Sequence, residues 1–194
     1  MIRVTFFALI LLNSCAIIDP YYLNLRSVRQ NEFKVQSIDP SDKSNKNPNV
    51  YSLNSSELKH LLGATSKRYK LLIFFTYWCP NSSESLPILL DDLCDTDEIE
   101  IILISPDDWV RKGSYLGYVS KYKLNVYLLD VYSYGEKRNP HYRMGKFISE
   151  FCSDCKEIKG FPSFILFDSE DSIVYKHTGK IESTVIDSLL MQYR

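Results

Sequence analysis

Phe74-Phe75-Thr76-Tyr77-Trp78-Cys79-Pro80-Asn81-Ser82 is the stretch whose reading decides the fold. An unbroken apolar run of strand length, Leu71 to Thr76, leads into it, and Pro80 to Leu93 continues with helical patterning. An apolar run without alternation belongs to a strand covered on both faces. Pro80 suits the first helical turn, where its missing N–H is not needed. Cys79 then stands over the unpaired N–H groups and the positive end of a helix dipole. Both favour thiolate over thiol, so its pKa is expected below the ordinary ~8.5.

The pattern outward from this junction alternates. Ile99 to Ser105 reads as a second buried strand, Trp109 to Tyr122 as a helix, Asn125 to Val131 as a third strand and His141 to Cys155 as a third helix. Phe161 to Asp168 and Ser172 to His177 read as a hairpin, and Ile181 to Tyr193 as a closing helix. Upstream, Asn54 or Ser55 offers an N-cap to a helix carrying Leu58, Leu61 and Leu62, stopped by Gly63. Strands alternating with helices imply a mostly parallel sheet covered on both faces, with the hairpin as an antiparallel edge.

The 194 residues fit one such domain; they are 45% hydrophobic and 24% charged, which excludes disordered and fibrous classes for the bulk of the chain. Lys and Arg number 23 against 24 Asp and Glu, a net charge of −1, so nothing points to nucleic acid as a partner. The five cysteines are Cys15, Cys79, Cys94, Cys152 and Cys155.

A second landmark, Gly160-Phe161-Pro162-Ser163 followed by Phe164 to Asp168, completes a pattern with Trp78-Cys79-Pro80. Together they resemble the thioredoxin-like superfamily, and within it the membrane-tethered bacterial thiol-disulfide oxidoreductases of the TlpA/ResA kind. Pro87, eight residues after the Cys, and Glu84 also match that pattern. The resemblance covers roughly Leu53 to Arg194. It implies a thioredoxin-like α/β fold: a central mixed sheet flanked by helices, with the extra strand–helix insertion of TlpA and peroxiredoxin types. It implies Cys79 as nucleophile, a cis Pro162 shaping a disulfide-binding groove, and Trp78, Pro80 and Phe161 around that groove. No cofactor is implied.

Two departures stand out. The second redox cysteine of the resembling family is Ser82 here, giving Cys-x-x-Ser. The second cysteine normally frees the first from its mixed disulfide. Ser82 cannot do so, although its hydroxyl can donate a hydrogen bond to a Cys79 thiolate. The family's buried acidic or amide residue six positions before the cysteine is Ile73. Mixed disulfides on Cys79 should therefore resolve poorly unless another thiol intervenes.

Cys152-Ser153-Asp154-Cys155 is one source of such a thiol. Cys155 precedes Pro162 by seven residues, at most about 23 Å of chain, so contact with Cys79 is neither forced nor excluded. A structural disulfide, a second redox pair and two reduced helix residues all remain open. A zinc site is not expected, since only two cysteines cluster and His141 lies eleven residues upstream of them. Cys94, near the far end of the helix begun at Pro80, reads as a small hydrophobe. His60 and His177 read as surface residues, and Arg143 as a charge on a helix face. Of the tyrosines at 115, 118, 122, 127, 132 and 134, most read as core or half-buried edges.

At the N-terminus, Arg3 precedes a nine-residue apolar run, Val4 to Leu12, too short to span a bilayer. Leu12-Asn13-Ser14-Cys15 resembles the lipobox of bacterial lipoproteins. That resemblance implies cleavage after residue 14, acylation of Cys15 (palmitate among the chains) and a membrane-anchored envelope location facing the periplasm or exterior. Ala16 in place of the family's Asp tilts the expected address to an outer membrane. The polar, turn-rich tract that follows reads as a tether over 15–50, with a short strand around Glu32 to Val35, ahead of a domain over 51–194.

Three functions follow, in order. The first is a lipid-anchored thiol-disulfide exchange protein whose partners are envelope proteins with thiols or disulfides. The second is a non-catalytic thioredoxin-fold module in which Cys79 is a relic. The third is a peroxiredoxin, whose Pro-x-x-x-Thr-x-x-Cys loop is met by Thr76 and Cys79 but broken by Leu72 in place of Pro.

Overall fold

The computed structural model describes residues 49–94, 96–135 and 139–192. The signal segment, Cys15 and its acylation, the strand expected around Glu32 and nearly all of the tether lie outside the described residues.

Six strands form one sheet in the order β1-β4-β3-β2-β5-β6. They are β1 (Val50–Leu53), β2 (Tyr69–Phe74), β3 (Ile99–Ser105), β4 (Val126–Leu129), β5 (Ser163–Phe167) and β6 (Ile173–Thr178). The first four run parallel, β5 is antiparallel to β2, and β6 is antiparallel to β5. The helices are α1 (Ser55–Ala64), α2 (Pro80–Leu93), α3 (Lys112–Tyr122), α4 (Val131–Tyr134), α5 (Pro140–Phe151) and α6 (Ser183–Gln192). This is the mixed, helix-flanked sheet expected from the sequence. Strand β4 is seated between β1 and β3.

Alternation along the strands divides the core. Leu71, Ile73, Phe75, Ile101 and Leu103 face one way, onto Leu86, Leu90, Tyr115 and Ile186 from α2, α3 and α6. On the other face Phe74 meets Phe147 of α5 edge-on at 6.0 Å, and Leu58 and Leu62 of α1 are buried. Lys70 is buried in β2, and its ammonium pairs with Asp171 in the β5–β6 turn, which relieves the cost of a charge inside the sheet. Asn54 caps α1 reciprocally, accepting from the Glu57 N–H at 3.0 Å while Glu57 accepts from the Asn54 N–H at 2.7 Å.

Four boundaries differ from the sequence reading. Val50–Leu53 is a strand, so β1 starts one residue inside the expected tether. A 3-10 turn, Trp109–Arg111, precedes α3. β4 stops at Leu129, where the Asp130 carboxylate caps the single turn α4 through the N–H groups of Tyr132 and Ser133. Helix α5 ends at Phe151 rather than Cys155; Cys152 is its extended C-cap, at φ −143° and ψ 101°. Among the described residues, no helix is long and apolar enough to cross a membrane.

Candidate functional site

The parallel strands end where β5 begins, and the expected site residues converge at that edge of the sheet. Beyond β2 the chain turns through Thr76–Cys79, closed by the Cys79 N–H donating to the Thr76 carbonyl at 3.3 Å. Cys79 is the N-cap of α2 with Pro80 at its first position, and its carbonyl accepts from the Ser83 N–H at 2.9 Å. Cys79 makes no side-chain capping bond. Its sulfur instead lies 3.4 Å from the Phe161 carbonyl oxygen.

The Phe161–Pro162 peptide is cis, as the resemblance implied. Pro cannot donate to a ladder, so β5 starts at Ser163, opposite Phe74. The loop is tied on both sides. The Pro162 carbonyl accepts from the Gly179 N–H at 2.8 Å, and Ser163 Oγ donates to the Gly160 carbonyl at 2.6 Å. Space at Gly160 is tight: a Cβ there would stand 3.0 Å from Thr178 Cγ2, which would have to give by a few tenths of an ångström. Trp78 meets Phe161 edge-on at 6.1 Å, and the His141 ring lies over Phe161 at 4.9 Å. Trp78, Cys79, Pro80, Phe161 and Pro162 thus share one place, from two segments about eighty residues apart.

Ser82 is present but differently engaged. It is fully buried, and neither its hydroxyl nor that of Thr76 has a hydrogen-bond partner among the described residues. The expected bond from Ser82 to the Cys79 sulfur is not made in this arrangement.

Cys152 and Cys155 are joined by a disulfide. Helix α5 starts beside Phe161, through His141, and ends with Phe151 against Phe167 at 6.1 Å. Phe167 pairs with Lys70, at the far end of β2 from Cys79. The twelve residues of α5 span about 18 Å at 1.5 Å each, so the structure does not bring Cys152 to Cys79. The reading of two reduced helix residues gives way to a disulfide just beyond the helix. Cys152 lines an open cavity of about 360 Å³ with Phe151, Phe167, Ile173, Lys59 and Asp171, while Cys155 is buried. Cys94 is half-buried against the core at the C-cap of α2, about 20 Å along the helix from Cys79.

The sequence reading missed a buried polar cluster behind Trp78. Asp107, just past β3, accepts from Trp78 Nε1 at 3.1 Å and from the Tyr115 hydroxyl at 2.5 Å. Tyr115 OH is in turn 2.6 Å from Ser105 Oγ. Burial raises the Asp107 pKa above the usual carboxylate value; the two donors and the charges of Arg111 and Arg143 oppose it with smaller effect. Burial, and then the Asp107 charge, hold Tyr115 well above the usual phenol value, which keeps it a donor.

Arg143 corrects the expectation of a solvated helix-face charge. It is fully buried, and its Nε donates to the Pro106 carbonyl at 2.6 Å. The signal that could have exposed the cluster is Ser105-Pro106-Asp107-Asp108, acidic residues directly at a strand's carboxyl end, where open α/β sheets place their sites. The tyrosines largely follow expectation: Tyr115, Tyr127 and Tyr134 are buried and Tyr132 is exposed.

Scanned against protein-family models and against curated proteins, the chain matches none. Solved structures similar to it include StoA from Bacillus subtilis, at 16% identity and TM-score 0.43 over 65% of this chain and 84% of that one. The pneumococcal exposed lipoprotein thioredoxin Etrx1 from Streptococcus pneumoniae strain TIGR4 matches at 17% identity and TM-score 0.46, over 67% of this chain and 89% of that one. A thio-disulfide isomerase from Thermus thermophilus matches at 21% identity and TM-score 0.47, over 67% and 82%.

Proposed function

We propose that the chain is a lipid-anchored envelope protein that exchanges disulfides through a single nucleophile, Cys79. The observation that carries this reading is the placement of the Cys79 sulfur at the N-terminus of α2, against the carbonyl that precedes the cis Pro162. A helix N-terminus favours the thiolate, and the loop at Phe161 and Pro162 offers extended backbone beside the sulfur for a docking polypeptide.

The exchange runs in two displacements. Cys79 thiolate attacks one sulfur of a partner disulfide; a bond forms between that sulfur and Cys79, and the partner's other sulfur leaves as thiolate and takes a proton from water. A thiolate from a second molecule then attacks the partner's sulfur in the mixed disulfide and expels Cys79 as thiolate. Ser82 cannot supply that second thiolate, and the pair at Cys152 and Cys155 stands at the other end of α5, so the resolving thiol is assigned to another molecule. Trp78, Pro80, Phe161 and Pro162 form the groove, and acylated Cys15 tethers it to the membrane.

The test is to quench cells making the full chain with N-ethylmaleimide, isolate membranes and identify adducts by mass spectrometry. The expected result is an acylated Cys15 at the mature N-terminus and disulfide adducts on Cys79 that vanish in Cys79→Ala. Adducts that persist in that variant would transfer the chemistry to another cysteine. If none form, while Cys79→Ala still recruits the same partners, the domain is a binding module. A mature N-terminus without acyl chain would remove the anchor.

A further inference from the structure

The two aromatic walls of the groove come from different segments, yet both lead back to the first turn of α5. His141, in that turn, lies over the Phe161 ring at 4.9 Å, and its Nδ1 is 3.3 Å from the Lys159 carbonyl oxygen. Arg143, two residues on, donates from Nε to the Pro106 carbonyl at 2.6 Å. The residue after that carbonyl, Asp107, accepts from Trp78 Nε1 through both carboxylate oxygens, at 3.1 and 3.2 Å. Trp78 in turn meets Phe161 edge-on at 6.1 Å. The contacts close a circuit that leaves α5 at Arg143 and returns to it at His141.

Arg143 is a costly residue in this position. It is fully buried, and only bonds and counter-charge offset the loss of water around a guanidinium. It also stands in the first turn of α5, where the positive end of the helix dipole disfavours a cation. Well-packed apolar residues in place of a buried ion pair are often as stable or more so. Stability of the fold therefore does not account for the arginine, whereas what it holds does. Its Nε fixes the backbone immediately before Asp107. Burial raises the Asp107 pKa, and the Arg143 charge is among those that oppose this.

We infer that Arg143 is a positioning residue of the groove: it clamps the backbone ahead of Asp107, so that the carboxylate holds the Trp78 indole against Phe161. This rests on the reading of Trp78 and Phe161 as walls beside a reactive Cys79. It goes further by assigning the shape of the groove to α5, an element outside both segments that supply the walls. The consequence is selective. A polypeptide disulfide needs the walls in order to dock, whereas a small disulfide needs only the sulfur.

The experiment compares the full chain with Arg143→Met, Arg143→Lys and Trp78→Phe. Arg143→Met keeps a long side chain and deletes its charge and donors; Arg143→Lys keeps the charge but has no nitrogen at the Nε position. The first readout is the indole N–H resonance of Trp78, identified by its loss in Trp78→Phe, and its exchange into deuterated water. Both Arg143 variants should lose protection of that proton by about tenfold, the worth of one ordinary hydrogen bond. The second readout, after reduction and removal of the reductant, is the rate of mixed-disulfide formation on Cys79 by mass spectrometry. The probes are a synthetic polypeptide with one internal disulfide, and hydroxyethyl disulfide. The polypeptide should react roughly tenfold more slowly in both variants, and the small disulfide at its natural rate. In Trp78→Phe, adding Arg143→Met should slow the polypeptide no further, since one acts through the other.

A merely structural arginine would lower the urea midpoint and leave both readouts of the folded variant in place, and that result overturns the inference. Should Arg143→Met not fold, natural protection and natural rates in Arg143→Lys do the same. Lost protection with a natural polypeptide rate also overturns it, because the wall would then not serve docking. Equal slowing of both disulfides overturns it too, by placing the effect on the sulfur. Lost protection, with neither disulfide reacting at Cys79 even in the natural chain, would keep Arg143 as the holder of Trp78 and reject exchange as the function.

Discussion

Helix α2 begins at one cysteine and helix α5 ends at another, and the two ends treat sulfur in opposite ways. At the start of α2, Cys79 has unpaired N–H groups and positive dipole charge beneath it, which lower the cost of a thiolate. At the end of α5, Cys152 stands among unpaired carbonyls and negative dipole charge, which raise it. Its partner Cys155 is buried, so expelling it as a thiolate would place a charge in an apolar interior. Reduction of that pair needs a thiolate leaving group that neither position favours. The comparison favours the nucleophilic chemistry proposed for the first end and a persistent cross-link at the second.

The sharpest way to break this division is Ser82→Cys. It places a thiol one turn up α2 from Cys79, within disulfide reach. The variant should turn over a disulfide substrate with an external reductant. At micromolar external thiol it should outpace the natural chain by on the order of a thousandfold, because a tethered thiol acts at about millimolar effective concentration. The natural chain should accumulate mixed disulfide in the same assay. If it already turns over, and loses that with Cys152→Ser, the distant pair resolves Cys79 and the division fails.

Removing the other end should cost stability and leave chemistry untouched. Cys152 and Cys155 are separated by three positions. By the chain-entropy estimate, a loop that short contributes about 2 kcal/mol. Cys152→Ser with Cys155→Ala should lower the urea midpoint accordingly, while Cys79 alkylates at its natural rate. Slower Cys79 chemistry would mean that the α5 terminus acts on the site through His141 and Phe161.

What the sequence made legible was what is local. β2 and β3 read correctly because a strand covered on both faces is apolar throughout, and the two landmarks read correctly because each is a few contiguous residues. β1 escaped because Val50-Tyr51-Ser52-Leu53 borders a polar tract and is a strand only through pairing with residues 126–129, far along the chain. Helix α5 ends four residues short of Cys155, the end expected from its spacing, because the chain turns at Ser153 and Asp154 into the disulfide. Arg143 looked solvated because an arginine in a polar helix usually is. Here the carbonyl of Pro106 replaces water, and that carbonyl comes from the end of another strand. Asp107 and Tyr115 share that cause, being ordinary residues that acquire roles through neighbours from separate elements.

The smallest expected effect concerns Asp107, and it tests whether the Cys79 end rests on burial or on charge. Burial raises its pKa in the folded chain above the usual ~3.9, against the smaller pull of its donors and of Arg111 and Arg143. The folded state therefore holds the Asp107 proton more tightly than the unfolded chain does. That contribution to stability is complete below the unfolded pKa and is lost as pH rises through the folded one. Asp107→Asn keeps an oxygen acceptor for Trp78 Nε1 and cannot titrate. Urea unfolding from pH 4 upward should show the natural chain losing stability relative to the variant as pH rises, with all shared titrations cancelling in the difference. Should the natural chain gain relative stability instead, the two arginines outweigh burial. Asp107 would then be an ionic anchor for Trp78, and the pocket behind Cys79 would be held by charge in a way that the disulfide end, with its covalent bond, is not.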